Sequence, residues 1–291
     1  MNITVFGRIM FSESSSLAVT KDIFITVKTY PTLSTKRGEL VCTAGITWEG
    51  EWIRLYPIPF RNLPYDEQYR KFQWVKVCVI RNEKDFRPES FRVIDQEIKP
   101  GKVITSWKER NKIIFHQGMT VYTNLDSMIR EAKTKSTSLA IFKPSVIHDM
   151  IVEPTEREWD ADKLAAMKAR KQQLTLFQTE DELTSFFVEH VKKLPYKFSY
   201  RFSDDAGHES TLMIEDWEIG ALYWNCLKRC SFDEKKAVEQ VLDKYRSFSE
   251  KDIYFFMGTT LQFHQVSSNP FIIIGVYYPP FLPRDKQQSL W

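Results

Sequence analysis

Three β-type runs, IFITVKTY, ELVCTAGITW and EWIRLYPI, fill most of residues 23–58. In the first, Ile23, Ile25 and Val27 alternate with Phe24, Thr26 and Lys28, the two-residue period of a half-buried strand. Glu49 and Gly50, between Trp48 and Glu51, predict a tight hairpin in which glycine supplies the positive φ. Pro57 and Pro59 end the regular pairing. This spacing commits the first part of the chain to β-structure.

The pattern then mixes. PYDEQYRKF predicts a short helical turn, FQWVKVCVIR a strand, FRVI a strand fragment, and KPGKVITSWKERNKIIF one or two strands. NLDSMIREAK predicts a helix capped by Asn124, with Leu125, Met128 and Ile129 on one face. SLAIFKP and VIHDMIVEP return to strand. After Pro154 the stretches TEREWDADKLAAMKARKQQ and TEDELTSFFVEHVKKLP are charge-rich and helical, the second stopped by Pro195. The last hundred residues predict strands at YKFSYRFSD, HESTLMIEDW, DIYFFMGTTLQFHQV and PFIIIGVYYPP, with helices at EIGALYWNCLKRC and FDEKKAVEQVLDKYRSF. No internal repeat is visible. The expected organisation is an arm over residues 1–21, a β domain over 22–154, a helical linker over 155–195 and a β/α domain over 196–291. The fold class is α+β and β-rich, the last domain being a sheet with two helices.

A chain of 291 residues has room for two such domains, and its 43% hydrophobic residues supply ample core. Aromatics reach 14%, which suits a core and equally a β face that stacks on bases or sugars. The net charge of +3 does not by itself mark a nucleic-acid protein, nor does it exclude a basic face balanced by acidic helices. Cys42 and Cys78 lie in apolar strands, Cys226 and Cys230 share a helix face, and there is no CxxC; reduced thiols, no metal and a cytoplasmic setting are expected. Gly7 and Arg8 interrupt the N-terminal apolar run, and no stretch approaches the roughly 18 apolar residues of a membrane span, so neither a signal peptide nor a membrane partner is expected.

Several longer stretches carry a resemblance. CTAGI, the glycine-centred turn and WIRLYPIPFR, then PYKFSYRFSD, IEDWEIGALYWN and GTTLQFHQVSSNPFIIIGVYYPP, resemble a group of mostly uncharacterised bacterial proteins described as containing a dual OB-type domain. Relatives in that group carry extra Cys and His near the turn DDAGH, where this chain has only His208. The resemblance implies an OB-like barrel in the N-terminal domain, a type that binds oligonucleotides or nucleotides on one open face, and a setting in defence against mobile DNA. A second resemblance is shorter. Gln173, Leu174, Thr175, Leu176 and Phe177 form QLTLF, similar to the Q-L-[SD]-L-F peptide by which bacterial replication and repair proteins dock on the sliding clamp. Leu174, Leu176 and Phe177 would fill an apolar pocket and Gln173 bond at its edge; the alternative is that they pin the linker to a domain.

Two clusters could carry chemistry. Trp52, Arg54 and Tyr56 alternate along one strand, with Arg61, Arg70 and Lys71 close behind. A cation between aromatics suits phosphate and base contacts, and a structural arginine stacked at a barrel rim reads the same way. Glu215, Asp216 and Glu218 stand at a strand-to-helix junction, where carboxylates either hold a metal for phosphodiester cleavage or cap the helix. His116, His148, His190, His208 and His264 form no HxH or HxxxH pair, and no phosphate-binding glycine loop is present, so ATPase and Rossmann chemistry are not expected. The leading expectation is a binder of DNA, RNA or a nucleotide with no cofactor, in DNA maintenance or defence and recruited by the sliding clamp. A metal-dependent nuclease and a structural subunit of a complex are the alternatives.

Overall fold

The computed structural model describes residues 17–34, 38–175 and 191–281. Strands β1 (Val19–Lys28), β3 (Gly38–Thr47), β4 (Trp52–Ile58), β5 (Gln73–Arg81) and β6 (Ser90–Val103) close into a barrel, while β2 (Thr32–Ser34) pairs beside β3. All barrel pairings are antiparallel except β4 with β6, which is parallel. This is the five-stranded Greek-key arrangement of an OB-like barrel. Ile23, Ile25, Ile53, Leu55, Val75 and Val77 point inward and are buried. Burying each such side chain stabilises the fold by roughly 1.5–3 kcal/mol. Val27, expected beside Ile23 and Ile25, joins Phe24 on the outer side instead, because the β1–β3 register shifts between Ile25 and Val27. A bulge of one residue exchanges the faces beyond it.

The stretch after β6, expected as strand, forms helix α1 (Trp107–Ile114). Ser106 caps it by accepting the Glu109 N–H at 3.4 Å, an S-x-x-E start that outweighs the apolar flanks.

The remaining elements are β7 (Val121–Tyr122), α2 (Leu125–Lys135), β8 (Leu139–Phe142), β9 (Val146–Pro154), α3 (Ala161–Thr175), β10 (Tyr196–Ser203), β11 (Glu209–Met213), α4 (Trp217–Arg229), α5 (Glu234–Arg246), β12 (Tyr254–Thr259) and β13 (Phe271–Tyr277). One sheet runs β13-β12-β8-β7 and another β11-β10-β9. Residues 121–154, expected with the barrel, therefore pair elsewhere: β8 lies against β12 and β9 against β10. Proximity in sequence placed them with β6; hydrogen bonding places them with strands more than a hundred and about fifty residues onward. The strand expected to run through TTLQFHQV stops at Thr259.

The sheet β13-β12-β8-β7 is buried on both faces. Ala140, Phe142, Phe255 and Ile273 pack with Tyr223 of α4 and Val241 of α5. Leu139, Ile141, Phe256 and Ile274 pack against Phe24, Ala44 and Ile46 on the outside of the barrel. Burial on both sides explains why LAIF and FIII are continuous apolar runs rather than alternating ones.

Candidate nucleic-acid interface

The face expected from Trp52, Arg54 and Tyr56 is turned toward the second half of the molecule. Trp52 sets its ring edge-on to Phe256 with 6.0 Å between centroids. Arg54 is only 3% exposed. Its guanidinium donates to Ser138 Oγ at 2.5 Å, to the Ser138 carbonyl at 3.0 Å and to Ser90 Oγ at 3.4 Å. A guanidinium so enclosed and so bonded is not available to a phosphate, which corrects its expected role. Tyr56 is half-buried.

The cations behind it also separate. Arg61 donates to Glu39 Oε2 at 2.7 Å, and that oxygen also accepts the Val191 N–H at 2.9 Å. Lys71 reaches Glu218 Oε2 at 3.6 Å and donates to the Val276 carbonyl at 3.4 Å. The structure thus joins Lys71 and Glu218, which the sequence assigned to two different sites. Arg70 stays exposed.

Around that contact lies a polar joint. Asp216 caps α4, accepting the Ile219 N–H at 2.7 Å and the Tyr245 hydroxyl at 3.2 Å. Burial, and next the negative charge of Glu218, raise the Asp216 carboxyl above its ordinary range. Burial pushes Glu215 up to about 7. From the barrel side, Lys28 Nζ stands 4.0 Å from the Phe60 ring centroid and 4.6 Å from that of Trp217, and donates to the Tyr69 carbonyl at 3.4 Å. Burial lowers its amine to about 8, against an opposing pull from Glu218. Among the described residues no three His, Cys, Asp or Glu side chains converge as a metal site. The chemistry of the joint is charge pairing and capping between the two halves.

The open aromatic surface lies elsewhere on the barrel. Trp48, in the β3–β4 turn, stacks on Trp74 of β5 with centroids 4.1 Å apart and planes 11° from parallel. Trp74 in turn leans on buried Phe24 at 5.4 Å. One face of Trp48 is covered by this stack, yet the residue remains 63% exposed. The two indoles, with Thr47, Ile104 and one side of α1, bound a cleft of ≈ 310 Å³. From α1 and the residues just after it come Glu109, Lys112, Ile113 and His116, spaced to share one helical face. Gly50 closes the turn with φ +78°, and a Cβ there would stand 2.5 Å from His116 Nδ1. Along the neighbouring strands Lys76 is directly opposite Lys99. Lys76, Lys99 and Lys102 are exposed.

Sequence reasoning missed this surface. The signal was present in QWVKVCVI, where Trp74, Lys76 and Cys78 alternate with Val75, Val77 and Val79 just as Trp52, Arg54 and Tyr56 do on β4. The alternation marks two outer faces without saying which one a second layer covers. Of the QLTLF stretch, α3 ends at Thr175 and residues 176 and 177 lie outside the described residues, as does most of the helix expected after them.

Comparison with known proteins follows the strand pairing. A model described as Domain of unknown function (DUF8758) matches residues 19–116, and one described as Domain of unknown function (DUF8757) matches residues 121–291. The chain belongs to the DUF8757 family. The DUF8758 match holds the barrel and α1; the DUF8757 match holds everything from β7 onward. No curated protein matches the sequence. Among solved structures, a Replication Protein A heterotrimer bound to ssDNA aligns with 96% of this chain and 69% of its own, at 10% identity and a TM-score of 0.31. A murine DNA-binding protein bound with ds DNA aligns with 91% of this chain and 98% of its own, at 9% identity and a TM-score of 0.30. Similarity of that degree carries no argument about what a DUF8757 protein binds. No helix among the described residues is long and apolar enough to cross a membrane.

Proposed function

We propose that this protein binds single-stranded nucleic acid through the uncovered side of its barrel, as an accessory factor without catalysis of its own. The supporting observation is the Trp48–Trp74 stack, rooted on Phe24 and open on one side, beside exposed Lys76, Lys102 and Lys112. Bases stack on aromatic platforms without regard to sequence, and lysines along the path meet the phosphates. A duplex hides its base faces and would use the lysines alone. The setting we assign is DNA maintenance or defence against mobile DNA, with docking on a sliding clamp through Gln173, Leu174, Leu176 and Phe177; it rests on sequence resemblance.

Fluorescence anisotropy with labelled single-stranded and duplex oligonucleotides, at about 50 and 200 mM salt, tests the binding. The single strand should bind more tightly and weaken with salt as counterion release requires. Trp48→Ala should lose at least about fivefold, from the 1–3 kcal/mol typical of one stacked base. Binding untouched by Trp48→Ala, or absent altogether, overturns the reading. Docking is checked separately by clamp pull-down with Leu176→Ala plus Phe177→Ala, which should abolish it in a folded chain.

A further inference from the structure

We infer that the cleft beside Trp48 is a receptor for a single unpaired guanine, whose Watson–Crick edge is read by the Glu109 carboxylate. This deepens the single-strand reading above and rests on it.

The cleft has the make-up of a base site. Its floor and walls are indole and isoleucine, which favour a flat, poorly hydrated ring. Its volume, ≈ 310 Å³, stands at the small end of the roughly 300–1,000 Å³ of ligand clefts. A single ring system fits that space. The open face of Trp48 gives the ring a surface already fixed by Trp74 and Phe24, so little side-chain freedom is lost on binding.

The polar groups then choose the base. Glu109 is in the first turn of α1, oriented by the bond from its own N–H to Ser106, and its carboxylate has no partner among the described residues. An ionised carboxylate only accepts hydrogen bonds, and it offers two oxygens side by side. Guanine is the one common base with two adjacent N–H donors, N1–H and the N2 amino group, on its pairing edge. Cytosine and adenine each set an amino group next to a ring-nitrogen acceptor, which faces the second oxygen with like charge. Thymine and uracil flank their single N3–H with two carbonyls. Lys112, one turn beyond Glu109, also has no partner among the described residues, and with His116 it meets the negative charge that follows the base. The Lys112 ammonium offsets the repulsion Glu109 would exert on a nearby phosphate.

The experiment is binding of the full chain to oligothymidine strands carrying one central guanine, adenine, cytosine, thymine or hypoxanthine. The guanine strand should bind about tenfold or more tightly than the thymine strand, as a good bidentate contact discriminates. Hypoxanthine, which keeps N1–H and lacks the amino group, should fall between them. Glu109→Gln should erase the guanine preference and, by removing a negative charge beside the phosphates, should bind the all-thymine strand no more weakly than wild type does. Equal binding of all five strands, or a preference that survives Glu109→Gln, overturns this inference and leaves single-strand binding standing. Binding to none of the strands overturns both.

Discussion

Arg54 grips Ser138 from two sides, with one guanidinium nitrogen 2.5 Å from its hydroxyl and the other 3.0 Å from its carbonyl oxygen. A barrel strand and the turn before β8 are joined by that fork. Arg54→Met should cost on the order of 3 kcal/mol in urea unfolding, because Ser138 Oγ loses its donor inside the joint and the Ser138 carbonyl keeps only the Thr259 N–H. Arg54→Lys should recover only part of it, since an ammonium cannot reproduce the planar pair of bonds. Affinity for single strands, measured where both variants remain folded, should stay at the wild-type value; a selective loss of affinity would return Arg54 to the binding surface.

Lys28 makes stability depend on alkaline pH. Its folded-state pKa of about 8 lies below the ordinary 10.5, so between those values the unfolded chain holds a proton that the folded one has released. Stability contributed by this residue therefore rises with pH across that window, by at most about 3 kcal/mol. Lys28→Met lacks the titration. Urea midpoints of wild type and variant, compared at about pH 7.5 and about pH 11, on either side of the window, should shift in favour of wild type at the higher pH. A difference that stays constant would mean the amine titrates normally.

Asp216 is held as a cap. Asp216→Ala should destabilise the protein by about 1 kcal/mol, and Asp216→Asn by less, because asparagine keeps an oxygen for the Ile219 N–H. Neither should alter manganese binding measured by calorimetry. Saturable manganese binding lost in both variants would favour the nuclease alternative.

Gly50 answers to two constraints at once, its φ of +78° and the nearness of His116. Gly50→Ala should cost about 1–2 kcal/mol from the left-handed backbone, and further from contact with the imidazole. Adding His116→Ala should relieve the contact and leave the backbone cost, so the two substitutions together should be less harmful than their sum. Strict additivity in thermal unfolding would show that the ring simply swings away.

How far the sequence could be read differs from place to place. The Trp48–Gly50 turn, the Asn124 cap and the helices α4 and α5 follow from local spacing and were legible. Residues 121–154 were not, because β8 and β9 find their partners far along the chain and nothing local names them. Helix α1 was hidden by its own apolar residues, although Ser106 and Glu109 marked its start. The candidate interface failed to show for a third reason. Trp52 and Arg54 on one strand, and Trp74 and Lys76 on another, carry equivalent patterns, and the packing of Phe256 against the first decides which remains open.

The shared cluster of Phe24 and Ala44 with Ile141 and Phe256 has a bearing on how such a chain can be divided. The two family matches part between residues 116 and 121, where a break in the gene would be easiest to make. Cutting there would leave each fragment with one bare wall of the same apolar seam. Such fragments are suited to find each other again when produced together, and to precipitate when produced alone. What divides into two modules along the sequence should therefore melt as one cooperative body.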